Sequence, residues 1–384
     1  MPAVDRGDAL ALTRALVSID SRNPLLVPGA PGESEAAGFL ASVLSDWGFR
    51  VETIEAAPNR PNVIARIGTP GGKSLMFNGH LDVVGVEGMS HPPFDPVIRN
   101  GKLYGRGSTD MKAGIAAMCA AALAAADAGI AGEIVIAAVA DEEFESLGTR
   151  ALIASGVRTD ACVIAEPTRL AICPAHRGFA WFDIAIAGRA AHGSRYDLGV
   201  DAIAHAGLLL SELDRLEHEI LPKKTHALLG RPSIHASLIS GGSGYSTYPD
   251  RCKLGVERRT IPGETALEAL SEIELLCEGI RTRRQNFEAM ITLGASQPPS
   301  DVRVDAPIVI ALETACLARG YRAPIEGLSA WTDAALLNEA GMPSVCFGPG
   351  DISLAHSAEE FVEVREIEQA TAILRDLAIN WLSE

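Results

Sequence analysis

Hydrophobic positions in the first half of the chain fall into short apolar runs separated by longer stretches with helix-like spacing. "SLMF" (74–77), "EIVIAAVA" (133–140) and "DACVIA" (160–165) are runs of strand length, and "PSVCF" (343–347) repeats the type near the C-terminus. Strands buried on both faces read this way, so alternation with helices predicts an α/β fold with a mixed, mostly parallel sheet flanked by helices. Between the first two runs lies "MKAGIAAMCAAALAAADAG", alanine-rich, with Ile115, Met118 and Leu123 as large apolar residues and Gly129 at its end. That composition and stop signal predict a helix.

The texture changes at residue 179. Strand ("FAWFDIAIAG"), helix ("GVDAIAHAGLLLSELDRLEHEI"), two strands ("SIHASLIS" and "RCKLGVERRT"), helix ("TALEALSEIELLCEGI") and strand ("EAMITLGA") follow in βαββαβ order. Residues 179–296 are therefore expected to form an inserted α+β unit of ferredoxin-like type. Residues 1–178 and 297–384 then make one discontinuous domain, closed by the amphipathic "EIEQATAILRDLAINWLSE".

Composition narrows the partners. The 384 residues are 47% hydrophobic, enough to fill two cores, and the formal charge of −16 disfavours a nucleic-acid partner, which needs a basic face. The opening "MPAVDRGDALALTRALVSIDS" lacks the basic leader and apolar core of a secretory signal, and no apolar segment is expected to approach membrane-spanning length. Seven scattered cysteines without a CxxC pair fit buried thiols in a reducing cytoplasm.

Polar residues gather immediately after the apolar runs: His80 and Asp82 after the first, Asp141, Glu142 and Glu143 after the second, and Glu166 after the third. Parallel sheets bind ligands just outside the carboxyl ends of their strands, so these groups should converge. Singly each has an ordinary reading: a hydrogen-bonded core histidine, a solvated acidic turn, or, for Asp110, an acid at a helix start. Together they would repel unless cations compensate them. Two divalent ions carry four positive charges, and Asp110, Glu143, Glu166 and one hydroxide carry four negative ones, with His80 and a second neutral imidazole completing the shells. Residues two apart in extended backbone point the same way, so Asp82 can stand behind His80 and accept its distal N–H. The second imidazole is expected to be His356, in "GPGDISLAHSAEE" after the last apolar run. His91, His205, His218 and His226 read as structural or solvated, and His176 is undecided.

"GHLDVV", "YGRGSTDMKAG", "ADEEFESLGT", "IAEPT", "GRAAHGS", "ERRTIPGE", "TDAALLNEAGMPSVCFGPG" and "AHSAEE" occur in the order found in a known family. Through them the chain resembles, nearly end to end, the co-catalytic zinc amidohydrolases and peptidases that include acetylornithine deacetylase, succinyl-diaminopimelate desuccinylase, aminoacylase and glutamate carboxypeptidase. The resemblance implies a zinc-peptidase-like catalytic domain and an inserted lid or dimerisation domain. It further implies two zinc ions, with cobalt or manganese as alternatives: Asp110 bridges, His80 and Glu166 hold one ion, and Glu143 and His356 hold the other. Glu142 becomes the general base, Asp82 the support behind His80, and His192 the donor to the oxyanion, in homodimeric relatives reaching across from the partner subunit. Arg259 resembles the arginine that holds the substrate carboxylate, with Arg258 next door as the alternative, since only one of two successive strand residues can point into the cleft, and Ser246 and Gly348 fall with it at the substrate end.

Two segments depart from the family pattern: Tyr196 stands near a usual proline, and Ser246 where asparagine is usual. Glu166, rather than aspartate, is more similar to the deacetylase and desuccinylase branch. The expected activity is hydrolysis of a small N-acyl amino acid, acetylornithine deacetylase-like, with desuccinylase or dipeptidase and carboxypeptidase action as the alternative on the same site. A catalytically silent binding or scaffold member is opposed by the intact His80, Asp110, Glu142, Glu143, Glu166 and His356. A two-metal phosphohydrolase should also offer basic groups for phosphate.

Overall fold

In the computed structural model the chain is described over residues 4–383. Residues 1–3, which begin the stretch read for a leader, and residue 384, which ends the closing helical stretch, lie outside the described residues. The chain divides into two compact units. The first runs to Pro174 and resumes over Val302–Glu326 and from Thr332; the second comprises Ala175–Asp301 and Gly327–Trp331.

At the centre of the first unit four strands lie parallel, in the order Glu133–Val139, Ser74–His80, Cys162–Ile164 and Ser344–Cys346. They are the four apolar runs, and from Leu75 to His80 and from Ile134 to Val139 every residue is buried. Antiparallel strands extend the sheet: Arg60–Gly68 pairs with Glu133–Val139 and carries Arg50–Ala57 outside it, and Cys173 pairs antiparallel with Cys346 on the far side. The sheet is thus mixed, with a parallel core. The outer hairpin Arg50–Ala57 and Arg60–Gly68 has no long apolar run, because its edge strand is half-exposed along its length and its inner strand carries only the short run Val63–Ala65.

Helix Ala113–Asp127 is buried from Ala113 to Leu123 and packs beside the closing helix Val364–Leu382. With the wide turn Ser108–Lys112 before it, the stretch Ser108–Asp127 is long and apolar enough to cross a membrane, against the sequence expectation. The fold gives the reason: 89% of its apolar window is buried inside the first unit, as in a core helix of small residues. Small residues permit close approach. A Cβ on Gly114 would stand 2.0 Å from the carbonyl oxygen of Ala165, the residue before Glu166.

The second unit is a four-stranded antiparallel sheet ordered Ser233–Gly241, Arg251–Thr260, Gly178–Ala187, Glu288–Gln297. With its strands in chain order 2-3-1-4, it has ferredoxin-like topology. Alternate residues Ala180, Phe182, Ile184 and Ile186 face a core shared with Leu209 and Leu213 of helix Ala202–Arg215 and Ile273 and Ile280 of helix Ala266–Arg283. Both helices begin at side-chain caps: Asp201 accepts the Ala204 N–H, and Thr265 forms a reciprocal box with Glu268.

Two glycine substitutions test this packing in opposite directions. Gly114→Ala, meeting backbone at once, should destabilise by about 1–3 kcal/mol. Gly207→Ala, in helix Ala202–Arg215 with nothing within 4 Å of its would-be Cβ, should stabilise by roughly 0.5–1 kcal/mol. Chemical denaturation reads both; a neutral Gly114→Ala would contradict the close approach.

Candidate metal centre

Because the four central strands are parallel, their carboxyl ends share one edge of the sheet. His80 is the last residue of its strand, Glu142 and Glu143 follow Glu133–Val139, Glu166 follows Cys162–Ile164, and His356 lies on the segment after Ser344–Cys346. Asp110 comes from the turn before the buried helix, where its backbone is extended (φ −121°, ψ 94°) rather than helical.

The side chains form two overlapping groups. Potential ligand atoms of His80, Asp110 and Glu166 lie within 4.8 Å of one another, and so do those of Asp110, Glu143 and His356. Asp110 belongs to both. Its Oδ1 is 3.1 Å from His80 Nε2 and its Oδ2 is 3.4 Å from His356 Nε2. Glu143 Oε2 lies 3.0 Å from His356 Nε2, and Glu166 Oε1 and Glu142 Oε2 each lie 4.0 Å from His80 Nε2. All of these residues are buried or nearly so except His356, whose side chain is 53% exposed.

Burial sets the electrostatics. It pushes the Glu166 carboxyl up to about 8, helped by the charge of Asp110, and it raises Glu143 and Glu142 as well. For Asp110 burial acts upward too, but hydrogen bonds from His356 and His80 outweigh it and hold the carboxyl below its usual range. His356 rises to about 10 through its hydrogen bonds to Asp110 and Glu143. Two imidazoles and an excess of buried carboxylates in two groups sharing one acid suit a pair of divalent cations bound by nitrogen and oxygen. The donor set fits.

His80 and Asp82 are related differently from the sequence expectation. His80 Nδ1 is 2.9 Å from the backbone carbonyl of Asp82 and 3.6 Å from its carboxylate. A carbonyl can only accept, so Nδ1 carries a proton, and a cation at the centre would take the Nε2 lone pair in place of the proton that Nε2 shares with Asp110. The Asp82 carboxylate instead accepts the backbone N–H groups of Glu142 (3.1 Å) and Glu143 (3.2 Å), and Asn23 Nδ2–H at 2.8 Å. It therefore fixes the loop that carries both glutamates.

Sequence reasoning missed the rest of this support. Asp141, at φ 67°, accepts from Asn23 and from Arg60, and its other oxygen accepts the N–H groups of Glu145 and Leu147. Arg60 also forms a two-point ion pair with buried Glu33. Asp333, in the "TDA" motif, accepts from Thr149 at 2.6 Å, and burial lifts it to about 6. The quoted motifs contain Asp141 and Asp333, but nothing in them marks Asn23, Glu33 or Arg60.

Gly348, expected at the substrate end, packs tightly against the backbone before Glu166. A Cβ there would stand 2.4 Å from the Ala165 carbonyl oxygen, its N–H donates to Thr168 Oγ1, and its carbonyl accepts the Leu170 N–H. Close packing behind Glu166 accounts for the glycine.

His192, Ser246 and Arg259 lie in the second unit. His192 is exposed; its Nδ1 is 3.3 Å from the Ser194 N–H donor and 2.8 Å from Ser194 Oγ, which leaves the proton on Nε2. The neighbouring Ser246 carbonyl accepts the Gly193 N–H. Arg258 is buried between Glu264 and Glu272, whereas Arg259, on the opposite face, is about one-third exposed, 3.0 Å from Glu257 and over the Phe179 ring. His176 is a buried ring packed on Trp331, with burial lowering it to about 4.

The sequence pattern of peptidase family M20/M25/M40 matches residues 76–380. An acetylornithine deacetylase from Myxococcus xanthus is 30% identical, the alignment covering 96% of this chain and 97% of that protein. A Bacillus subtilis N-formyl-4-amino-5-aminomethyl-2-methylpyrimidine deformylase is 28% identical, covering 98% and 95%. Among solved structures, a dinuclear metal-binding M20 peptidase from Bacillus subtilis superposes with a TM-score of 0.76 at 17% identity, covering 97% of each chain.

Protons and metal ions should compete for this cluster. The unfolded chain lacks the protons that raised groups retain, so metal-free stability falls as pH rises: through the window from 4.5 to about 8 for Glu166 and from 6.5 to about 10 for His356. Metal displaces those protons, so the gap in melting temperature between metal-loaded and chelator-treated protein should widen from about pH 6 to about pH 8. Scanning fluorimetry measures it; a constant gap would mean the ions bind elsewhere.

Proposed function

The chain belongs to peptidase family M20/M25/M40, and on that premise we propose that it hydrolyses the amide bond of a small N-acyl amino acid at a centre of two divalent cations. The observation that carries this reading is Asp110, with one oxygen toward each of two imidazoles. His80, Asp110 and Glu166 would hold one ion, and Asp110, Glu143 and His356 the other. Zinc suits the mixed nitrogen and oxygen donors, with cobalt or manganese as substitutes. Bound there, such ions polarise the amide carbonyl and acidify water.

The chain's own residues move the proton. Glu142 is anchored through its N–H on Asp82, while no hydrogen bond to its carboxylate occurs among the described residues. Burial raises that carboxyl; the charge of His80 opposes this, and the Glu166, Asp333 and Glu143 carboxylates add to it, the direction required of a group that takes and returns a proton near neutrality. Glu142 takes the proton of water as the new carbon–oxygen bond forms, then gives it to nitrogen as the carbon–nitrogen bond breaks. The products are a carboxylate and an amine. His192, with its proton on Nε2, is the donor for the developing oxyanion, within one chain or from a second copy joined through the inserted unit. Arg259 offers a fork for the substrate carboxylate, with Ser246 beside His192 at the same end. Seven buried free cysteines support a reducing, cytoplasmic setting.

A second reading is favoured by the similarity to the pyrimidine deformylase over 98% of the chain. That relative's named substrate is an N-formyl aminomethylpyrimidine, which has no carboxylate for Arg259. Desuccinylase and dipeptidase activities share the chemistry and differ in what the substrate end recognises.

Glu142→Ala should lower turnover by about 10²–10⁴-fold while metal content measured by plasma emission stays at two ions per chain. Loss of an ion would make Glu142 a ligand instead. With zinc or cobalt present, N-acetylornithine, N-succinyl-diaminopimelate, a dipeptide and the N-formyl pyrimidine should rank the substrates. Arg259→Ala should raise KM for the carboxylate-bearing compounds only; an equal effect on the pyrimidine would remove Arg259 from carboxylate recognition.

A further inference from the structure

Glu360 lies four residues beyond His356, is completely buried and uses both carboxylate oxygens. Its Oε1 accepts the backbone N–H groups of Thr109 at 3.0 Å and Asp110 at 3.2 Å. Its Oε2 accepts Nη1–H of buried Arg106 at 2.6 Å, and Arg106 in turn donates Nε–H to the Gly85 carbonyl at 2.9 Å. Around this point the two segments are laced further. Thr109 Oγ1 donates to the Phe361 carbonyl, Gly105 N–H donates to the Glu360 carbonyl, and strand Phe361–Glu363 pairs with Lys102–Tyr104.

The arrangement has a physical logic. Asp110 leaves helical geometry to present its two oxygens in different directions, so the N–H groups at 109 and 110 need an acceptor from outside the turn. Glu360 supplies it. The same side chain fastens that turn to the segment bearing His356, a residue at φ 60° with a half-exposed ring and no strand beneath it. His80 and Glu166, by contrast, are set by the central strands. One buried carboxylate therefore joins the shared ligand to the least anchored one.

We propose that Glu360 is a positioning residue for the metal centre: it sets how Asp110 spans the two ligand groups and holds the His356 segment to it, so it governs affinity at the Asp110, Glu143, His356 site more than at the His80, Asp110, Glu166 site. The inference rests on the two-ion reading, and its test separates the two. Zinc or cobalt is titrated calorimetrically into chelator-treated full-length protein, with the His356 site identified as the event lost in His356→Ala. Glu360→Gln offers an acceptor oxygen on one side only and cannot serve both the N–H pair and Arg106. It should weaken the His356 site by roughly 10–100-fold, change the other site less, and alter the visible spectrum of the cobalt form. Glu360→Asp, which keeps both acceptors but is one methylene shorter, should fall between. Val362→Ala, a buried apolar neighbour, should lower melting temperature and leave both affinities alone. Wild-type affinities in folded Glu360→Gln, or in Glu360→Asp if the glutamine variant does not fold, would overturn the proposal. So would an equal loss in Val362→Ala. Uptake of fewer than two ions by the wild type would instead remove the reading on which it stands.

Discussion

The structure turns on one electrostatic constraint: buried carboxylates brought to neighbouring strand tips repel and resist ionisation unless cations balance them. Asp110 concentrates that constraint, because its two oxygens face separate imidazoles. In the protein alone, the surrounding acids raise His80 and His356, while burial and the charge of Asp110 raise Glu166 and Glu143. A pair of divalent ions supplies more charge than two protons can, and directs it along the lone pairs of the same atoms.

The fold converts this into a fixed site through parallel pairing. Four strands end at one edge, and the polar residues at or just past each strand end meet there. Small residues allow the parts to close up: Gly114 and Gly348 bring the buried helix and the "GPG" turn against the backbone of Ala165 and Glu166. Beneath the Glu142 and Glu143 loop, Asp82, Asn23, Asp141, Arg60 and Glu33 form a continuous buried network, so the acids of the site rest on further charged groups that satisfy one another. Such a platform resists local rearrangement, since removing one member leaves another charge buried and unpaired.

Much of this was legible from the chain alone, for a specific reason. Buried parallel strands are continuous apolar runs, and polar residues interrupting them at one end stand out, so His80, Glu142, Glu143 and Glu166 could be placed without a structure. Asp110 and His356 needed charge balance and the ordered motifs as well. The hairpin Arg50–Ala57 and Arg60–Gly68 was hidden because its outer strand is half-exposed and its inner, largely buried strand carries only the short apolar run Val63–Ala65. Asn23, Glu33 and Arg60 were invisible because single polar residues, far apart in sequence, acquire meaning only when the fold buries them together. Asp82 was assigned to the right place and the wrong partner: an i, i+2 spacing does not say whether the carboxylate or the carbonyl meets the imidazole. At Gly348, expected at the substrate end, a Cβ would meet two carbonyl oxygens, a constraint that appears only in the fold.

The central claim is that one carboxylate is shared by two ions. Anomalous diffraction from crystals of metal-loaded protein, recorded on both sides of the zinc edge, tests it most directly. The account predicts two peaks at full occupancy, one beside His80 and Glu166 and one beside Glu143 and His356, with Asp110 contacting both. A single peak, or two peaks with Asp110 bound to only one of them, would contradict it.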